Sequence, residues 1–519
     1  MLLLVAASLF FACGAQPTPA PTTPAPTTAA APTPRASAAP AHGISEASKR
    51  LLRSLGEPVH LDVIITRGVP YVDAYLRDLE RLLAAYSAAA PGKIEIRVLD
   101  GKEPVIAASA KRSGLAPVAL VEHRDLTVDD DGIVPVYGYF GVVLSYGKAT
   151  GTIKSLQPTD RLGVEYLLSA KIRELREEAQ AATHRIGVVG GHGEDALSAT
   201  LLVPPDLGRA NLDAIVAQNF PYYRFETVDL NALDDDLAAL IVTQPQRPYT
   251  EKELRRIDQF LMRGKAVAVF ASASSSALSD ARMRPSLDSR GLERLLAGYG
   301  IEMRRDAVTD PDAFTIDVMQ VTGPSRIPFP GIPLAQNESQ RLDTSFAPLF
   351  RLPQLAMPFA SSLVLHPEKQ PDAVRCAGLA PEVCAFKVVV RTGPRAVSSS
   401  SAPASFAFDL EWQSLVRGPT ARFDLGAVVQ GHLTSAFAPS DAPVRGAPPA
   451  RLLVLASSQF LVNPFVRATA AGAPKGTEAL QIAGPYAQQV LTQTIMAFKQ
   501  TLDWLTADPE LSALAAKEL

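Results

Sequence analysis

The stretch HRIGVVGGHGEDA, residues 184–196, contains an apolar run, Ile186–Val189, that ends in a glycine-rich loop with His192 and Glu194. A short apolar run bounded by glycine predicts a buried strand followed by a tight turn. Similar loops bind phosphate in many proteins. This loop has neither the Lys-Ser/Thr pair of a P-loop nor the G-x-G-x-x-G dinucleotide motif. We therefore expect no phosphate or dinucleotide site here.

Four more apolar runs predict strands of the same sheet. They are YRFETVDL, LAALIVT, KAVAVFA and, much later, ARLLVLASSQFLVNPF from Ala450. Helices lie between them, notably TEKELRRIDQFLMRG, where Thr250 and Glu253 form a capping box. A last helix is predicted over 486–505. Strands that alternate with helices predict an α/β fold with a mainly parallel sheet, covered on both faces.

The segment before this sheet reads as a smaller α/β domain, residues 44–159. It has a strand from His60 to Thr66, an amphipathic helix, a strand from Lys93 and a hairpin that turns at Gly147-Lys148. This order resembles the thioredoxin fold. The segment has no cysteine, which excludes thiol redox chemistry. A helix in residues 160–182 would connect it to the second domain.

The second domain is predicted to be discontinuous, formed by residues 183–310 and 450–508. Between them, residues 311–449 are rich in proline, serine and short apolar runs. This composition predicts an irregular, β-rich insertion.

The first 43 residues form a separate part of the chain. Residues 1–12 fit the apolar core of a secretory signal peptide, and Cys13 stands where a bacterial lipobox places its acylated cysteine. The alternative is an ordinary cleaved signal with an incidental cysteine. Residues 13–43 are rich in Pro, Thr and Ala, which predicts an extended tether; its Pro/Thr/Ala segment, residues 14–41, could span at most ~85 Å. No other segment predicts a transmembrane helix.

Charge and cysteine usage exclude several classes of protein. The formal net charge is −3, without a block of Lys or Arg, so we expect no nucleic-acid partner. Cys376 and Cys384 close a short loop, and in an oxidising compartment they predict a disulfide. No histidine stands near them at ligand spacing, so we expect no metal site.

Loops after the predicted parallel strands should meet at the carboxyl edge of the sheet, where open α/β folds bind ligands. His192 and Glu194 could act there as an acid/base pair, with a serine as nucleophile. The alternative, which we favour, is a structural turn in which glycine supplies positive φ and Glu194 caps a helix. No catalytic residue or cofactor is expected. The residues of this candidate crevice are Gly190, Gly191, His192, Gly193, Glu194, Gln244, Ser272, Ser457 and Ser458.

Several stretches together resemble the extracytoplasmic auxiliary proteins of ABC transporters typified by the gliding-motility protein GldG. They are ISEASKRLLRSLGEPVHLDVII, YGYFGVVLSYG, IGVVGGHGE, YTEKELRRIDQFLMRGKAVAVFA and RLLVLASSQFLVNPF. The resemblance implies a thioredoxin-like first domain and a flavodoxin-like or class I amidotransferase-like second domain. It also implies a non-enzymatic role beside an ABC permease and ATPase. Acidic residues common in the family are absent at 271–272 and 456–460, which argues against a metal there.

The resemblance places the chain at the periplasm-facing side of a bacterial envelope, held in the inner or outer membrane by a lipid on Cys13. Two other functions stay open. One is a stand-alone glycan- or polymer-binding module. The other is an amidotransferase-like hydrolase, which would need a nucleophilic cysteine that the second domain lacks.

Overall fold

The computed structural model describes residues 43–68, 70–120, 136–199, 202–203, 210–278, 280, 283–320, 323–401, 418–437, 444–446, 448–466 and 478–519. The predicted signal, Cys13 and nearly all of the tether lie outside these residues. Helices and strands alternate through most of the described chain, which has an α/β fold. No helix in these ranges is long and apolar enough to span a bilayer.

The helices are named in chain order. They are α1 Glu46–Arg53, α2 Pro70–Ala89, α3 Pro104–Arg112, α4 Val164–Ala179, α5 Leu212–Asn219, α6 Glu251–Met262, α7 Leu292–Gly298, α8 Pro371–Arg375, α9 Glu478–Tyr486, α10 Thr492–Thr506 and α11 Pro509–Ala513. A π-helical turn, Ala487–Leu491, joins α9 to α10. The predicted capping box of α6 is confirmed: the Thr250 hydroxyl accepts from the Glu253 N–H, and the Glu253 carboxylate accepts from the Thr250 N–H.

The strands are also named in chain order. They are β1 Val59–Ile65, β2 Ile94–Asp100, β3 Val118–Leu120, β4 Val136–Gly138, β5 Phe140–Tyr146, β6 Ala149–Ile153, β7 His184–Val189, β8 Tyr223–Val228, β9 Ala239–Val242, β10 Ala266–Phe270, β11 Ser274–Ser275, β12 Ser286–Leu287, β13 Ile301–Met303, β14 Ala307–Thr309, β15 Ala313–Gln320, β16 Gly323–Gln336, β17 Gln354–Ala356, β18 Leu363–Leu365, β19 Ala385–Arg391, β20 Val397–Ser399, β21 Asp424–Gly431 and β22 Ala450–Leu455.

A four-stranded sheet in the order β2-β1-β5-β6 forms the first part of the fold. β2 runs parallel to β1, and β5 runs antiparallel to it. β5 and β6 form the hairpin that was predicted to turn at Gly147-Lys148, and this turn is confirmed. One face of the sheet is apolar and packs with residues of α1, α2 and α4 in a single core. The strands alternate, so the opposite face carries charged residues near β2.

The larger sheet has the order β13-β18-β21-β22-β10-β9-β7-β8, with β19 also paired to β21. From β22 to β8 every pairing is parallel. The strands of this parallel half are the apolar runs singled out in the sequence, and β22 pairs with β10 although nearly two hundred positions separate them. Apolar clusters cover both faces, as predicted.

The sheet was predicted to be mainly parallel, and this was wrong for nearly half of its strands. β13, β18, β19 and β21 form an antiparallel half. Three of these strands come from residues 311–449. Residues 311–449 were predicted to be β-rich but not to extend this sheet, because the partners of these strands lie far away in the chain and local pattern does not indicate pairing. The sheet is therefore mixed.

A buried ionic cluster joins α4 and α10 at the start of β8. The Asp503 carboxylate accepts from the Arg173 guanidinium at 3.0 Å, the Lys499 ammonium at 2.7 Å and the Tyr223 hydroxyl at 2.6 Å. Glu174 also pairs with Lys499, at 3.2 Å. Burial alone would raise the pKa of Asp503, but Lys499 and Arg173 outweigh it and hold the pKa below its usual value.

The C-terminal residues pack against α1 and the start of α4. Arg50 of α1 pairs with Asp508 at 2.6 Å and with Glu510 at 3.0 Å. The Gly163 N–H, just before α4, donates to the Lys517 carbonyl at 2.7 Å. Contacts widely separated in sequence therefore complete the packing around α1 and α4.

Candidate functional site

The glycine-rich loop that follows β7 requires glycine at three positions. Gly191 has φ of +113° and Gly193 has φ of +78°, a region that side chains rarely adopt. At Gly190 an added Cβ would lie 2.7 Å from Thr227 Cγ2 on β8. The prediction that glycine supplies positive φ in this turn is confirmed.

Glu194 does not have the helix-capping role that we favoured from the sequence. Its Oε2 accepts from the backbone N–H of His192 at 2.7 Å, and its Oε1 accepts from the Tyr249 hydroxyl at 2.7 Å. The described residues directly after it, 195–199, form a turn rather than a helix. The Glu194 carboxylate closes its own loop, because both of its oxygens accept from donors in and beside that loop. Burial and the Glu194 carboxylate raise the pKa of Tyr249 well above its usual value, so its hydroxyl stays a donor.

The imidazole of His192 lies between two carboxylates. Nδ1 is 3.6 Å from Glu194 Oε1, and Nε2 is 3.4 Å from Glu253 Oε2. The ring also lies against Tyr249, with centroids 4.6 Å apart. Its backbone carbonyl accepts from two N–H groups in the segment that leads to α6. The loop is thus fastened to the start of α6.

Glu253 connects this loop to the capping box. Burial would raise its pKa, but the hydrogen bonds from the Thr250 hydroxyl and N–H, together with His192, hold the pKa below its usual value. Glu253 therefore caps α6 and faces His192 at the same time. Sequence reasoning found Glu253 as a capping residue and missed its contact with His192, as it missed Tyr249. Nothing in the local pattern at either segment indicates that the two meet.

Gln244, Ser272, Ser457 and Ser458 follow strands of the parallel half, but they do not line an open crevice. Each is at most 2% exposed. The Gln244 Oε1 accepts from the Ser272 N–H at 2.9 Å, and the Ser457 hydroxyl donates to the Pro358 carbonyl at 2.7 Å. The structure brings Gln244 and Ser272 together and seals them inside the protein.

The segment that seals this edge is residues 357–362, which belongs to the region predicted to be an insertion. The Ser361 hydroxyl lies 2.8 Å from the Ser272 hydroxyl and accepts from the Ala273 N–H at 3.0 Å. The Ser361 N–H in turn donates to the Ala456 carbonyl at 3.2 Å. Ser361 was not among the predicted site residues, since we placed no site in 311–449.

A small cavity remains open beside the glycine loop, at the end of the sheet formed by β7 and β8. Its volume is about 190 Å³, below the ~300–1,000 Å³ of most ligand pockets. It is lined by apolar side chains together with the acidic side chains of Glu194 and Asp213. Within the described part of the chain, no group of three or more His, Cys, Asp or Glu residues could hold a metal ion. The other residues that line this cavity include Val188, Gly190, Gly191, Leu197, Ser198, Phe225 and Thr227.

The predicted disulfide is present. Cys376 and Cys384 are bonded, with Cα atoms 5.6 Å apart. The bridge closes the loop between α8 and β19, directly before β19 pairs with β21 in the antiparallel half of the sheet.

Comparisons with known proteins identify the family. Residues 183–489, more than half of the chain, match the family described as ABC-type uncharacterized transport system, and this chain belongs to that family. The protein is therefore an auxiliary component of an ABC-type transport system. Residues 41–136 match a domain of unknown function, DUF7088. The family match covers the glycine loop and the whole parallel half.

No curated protein matches this chain. Among solved structures, it is similar to the mmIFT52 N-terminal domain, with 14% identity, 62% of this chain and 98% of that chain covered, and a TM-score of 0.34. It is also similar to the exo-beta-1,4-mannosidase Op5Man5 from Opitutaceae bacterium strain TAV5, with 10% identity, 81% and 50% covered, and a TM-score of 0.21. At these TM-scores neither likeness bears on the fold or the function.

Proposed function

We propose that this chain is a non-enzymatic envelope lipoprotein of the GldG-like type. In this proposal it is anchored through Cys13 and works by contacting an ABC permease, its ATPase or their substrate. The observation that carries the proposal is the family match over residues 183–489. A thioredoxin-like first domain and an amidotransferase-like second domain, whose sheet is extended by strands from residues 311–449, belong to the same proposal.

The chemistry of the sheet edge supports a role without catalysis. A general base must reach the proton that it removes, and a nucleophile must be accessible to substrate. Here Glu194 is bound to Tyr249 and to its own loop, while Ser272 and Ser457 are buried under residues 357–362. The candidate catalytic residues are therefore engaged in structural hydrogen bonds.

The tether supports a role by contact. In this proposal the Pro/Thr-rich composition of residues 13–43 predicts an extended segment, through which a lipid on Cys13 would hold the folded body near the membrane. The small net charge gives little long-range steering, so docking should depend on shape.

Crosslinking in the native envelope tests the proposal. We expect the tagged chain to co-purify with a permease and an ATPase after mild crosslinking. In a matched Cys13→Ala strain the protein should leave the membrane fraction and lose most of these crosslinks. Crosslinked material that repeatedly lacks any transporter subunit would contradict the transporter role. An unmodified mature N-terminus in mass spectrometry would contradict the lipid anchor alone.

A second candidate, a small-ligand or glycan-binding module, is favoured by the cavity beside the glycine loop. Phe225 offers an aromatic wall, and the Asp213 carboxylate offers hydrogen-bond acceptors for hydroxyl groups. Calorimetry with a panel of mono- and disaccharides tests it, with Asp213→Ala as the matched variant. Heats that are identical for the two proteins would remove this candidate.

A further inference from the structure

The edge strand β2 has features that natural sheet edges usually avoid. In the described chain β1 is its only strand neighbour. Its seven residues pair with β1 in unbroken register, from Val59↔Ile94 to Ile65↔Asp100, without a bulge. It contains neither proline nor lysine, two residues that commonly protect edges. β2 is therefore a regular strand with one open side.

Two hydrogen bonds at the ends of the β1–β2 pair show which residues of β2 turn their backbone groups toward the open side. The Val59 N–H donates to the Lys93 carbonyl, and the Gly101 N–H donates to the Ile65 carbonyl. Because the pattern alternates in a parallel pair, residues 95, 97 and 99 turn their N–H and C=O groups toward β1. Ile94, Ile96 and Val98 turn theirs outward. No described residue bonds to those three from the far side.

The side chains of β2 add a charge pattern on the solvent face. Glu95 is paired with His60 of β1 at 2.9 Å, and Arg97 is paired with Asp62 at 2.6 Å. Glu95 and Arg97 remain mostly exposed, with 60% and 71% of their side chains accessible. One acid and one base stand on either side of Ile96.

We propose that two copies of this chain associate through β2, which pairs antiparallel with itself about a two-fold axis at Ile96. In that register the outward groups of Ile96 face Ile96 of the second copy, and those of Ile94 face Val98. About six backbone hydrogen bonds form. Glu95 then lies opposite Arg97 twice, in a non-hydrogen-bonded pair where side chains are closest. The two small sheets become one continuous sheet.

Charge selects this register over its neighbours. If the two-fold axis lay at residue 95 instead, Glu95 would face Glu95 of the second copy. If the axis lay at residue 97, Arg97 would face Arg97 of the second copy. Like charges directly opposite each other destabilise a strand pair. Centring on Ile96 also gives a row of alternating charge across the joint sheet: Glu95, then Arg97 and Asp62 of the second copy.

The edge strand of the larger sheet, β8, has a similar charge pattern but is partly closed. Its bonds to β7 leave Tyr223, Phe225 and Thr227 facing outward. However, the Tyr223 N–H already donates to the Phe220 carbonyl at 3.1 Å. Pairing at β8 would break that bond, whereas pairing at β2 breaks none among the described residues. The observations therefore favour β2.

A cysteine scan tests the register. The full chain carrying Cys13→Ala is purified with Ile96→Cys, Glu95→Cys or Arg97→Cys, and each protein is oxidised mildly. We expect an intermolecular disulfide in the Ile96→Cys protein, since its two Cα atoms would lie about 5.5 Å apart. At position 95 or 97 they would lie about 8 Å apart, too far for a bridge. Equal crosslinking at all three positions, or stronger crosslinking at 95 or 97, would overturn the register.

Charge reversal tests the association itself by sedimentation. Glu95→Arg and Arg97→Glu should each weaken self-association at least about fivefold, because each sets like charges opposite each other twice. An equimolar mixture of the two variants should restore it, since every facing pair is then opposite in charge. Equal melting temperatures would show that both variants fold. A wild-type chain that stays monomeric throughout, or a mixture that remains as weak as either variant, would overturn the proposal.

Discussion

The two halves of the larger sheet differ in how they are built and in what they carry. The parallel half, from β22 to β8, consists of continuous apolar strands, and its loops hold every residue of the candidate crevice. The antiparallel half consists of β13 and of three strands from residues 311–449, and one of its loops is closed by the disulfide. A segment between β17 and β18 then covers the ends of β10 and β22. The loops at the carboxyl ends of the parallel strands thus form the candidate ligand-binding face. Residues 357–362 determine which part of that face stays open to solvent.

The largest loss of stability should follow disruption of the buried ionic cluster around Asp503, at the start of β8. Asp503→Asn removes the charge that three donors share, and leaves the buried Arg173 and Lys499 without their central partner. Breaking a buried ion pair at one partner costs about 3–5 kcal/mol. Urea unfolding followed by circular dichroism should show this loss in the free energy of unfolding. The control is Asp317→Asn in the exposed β15–β16 hairpin, which should change little.

The same cluster predicts a dependence on pH. The pKa of Asp503 is lowered in the folded state, so its contribution is present above the unfolded pKa and is lost as pH falls through the folded value. The difference between wild type and Asp503→Asn should therefore shrink below about pH 4. If the difference in the free energy of unfolding stays constant down to pH 2, the ionised Asp503 carboxylate is not the source of the stabilisation.

A smaller loss is expected at the other end of the parallel half, in the glycine loop. Gly193→Val places a β-branched residue at a φ of +78° and brings its Cβ to 3.2 Å from Gln246 Cβ. We expect a loss of about 2–3 kcal/mol in thermal or urea unfolding. Gly92→Val is the matched control, because Gly92 has a similar φ of +75° with no atom within 4 Å of an added Cβ. Equal losses at the two sites would show that backbone strain alone is responsible.

The disulfide tests the antiparallel half. Cys384→Ser, or reduction of the wild type, should cost about 2 kcal/mol because the closed loop is short. Labelling of free thiols in denatured, non-reduced protein measures the bond directly. Two reactive thiols besides Cys13 would refute it. The loss should not alter crosslinking to a transporter if contacts are made by the parallel half.

The smallest effect should follow His192→Ala. The ring contact with Tyr249 is lost, but Glu194 keeps its bonds to Tyr249 and to the loop, so the cost should be about 1 kcal/mol. Co-purification with transporter subunits should stay as in the wild type. A stable His192→Ala protein that no longer supports transport would give the loop a direct role in binding or catalysis.

The sequence predicted the parallel half well because its strands are continuous apolar runs between helices with clear caps, as at Thr250. It predicted the turn at Gly191 and Gly193 because positive φ restricts the choice of residue. It could not predict the burial of Ser272 and Ser457, since their covering residue, Ser361, is 89 positions from Ser272. The partners of His192 were missed for the same reason. Local pattern specifies an element and its ends, whereas pairing across loops depends on the whole fold.

The contact between Arg50 and Asp508 also constrains how the chain is made. The two residues are 458 positions apart. At about 5–20 residues per second, a ribosome needs roughly 25–90 s to reach Asp508 after Arg50 has been added. During that time α1 lacks the residues that complete its packing. The apolar side of α1, with Leu51 and Leu52, therefore stays without part of its final cover for about a minute of synthesis, and slower translation of the last residues would lengthen that interval.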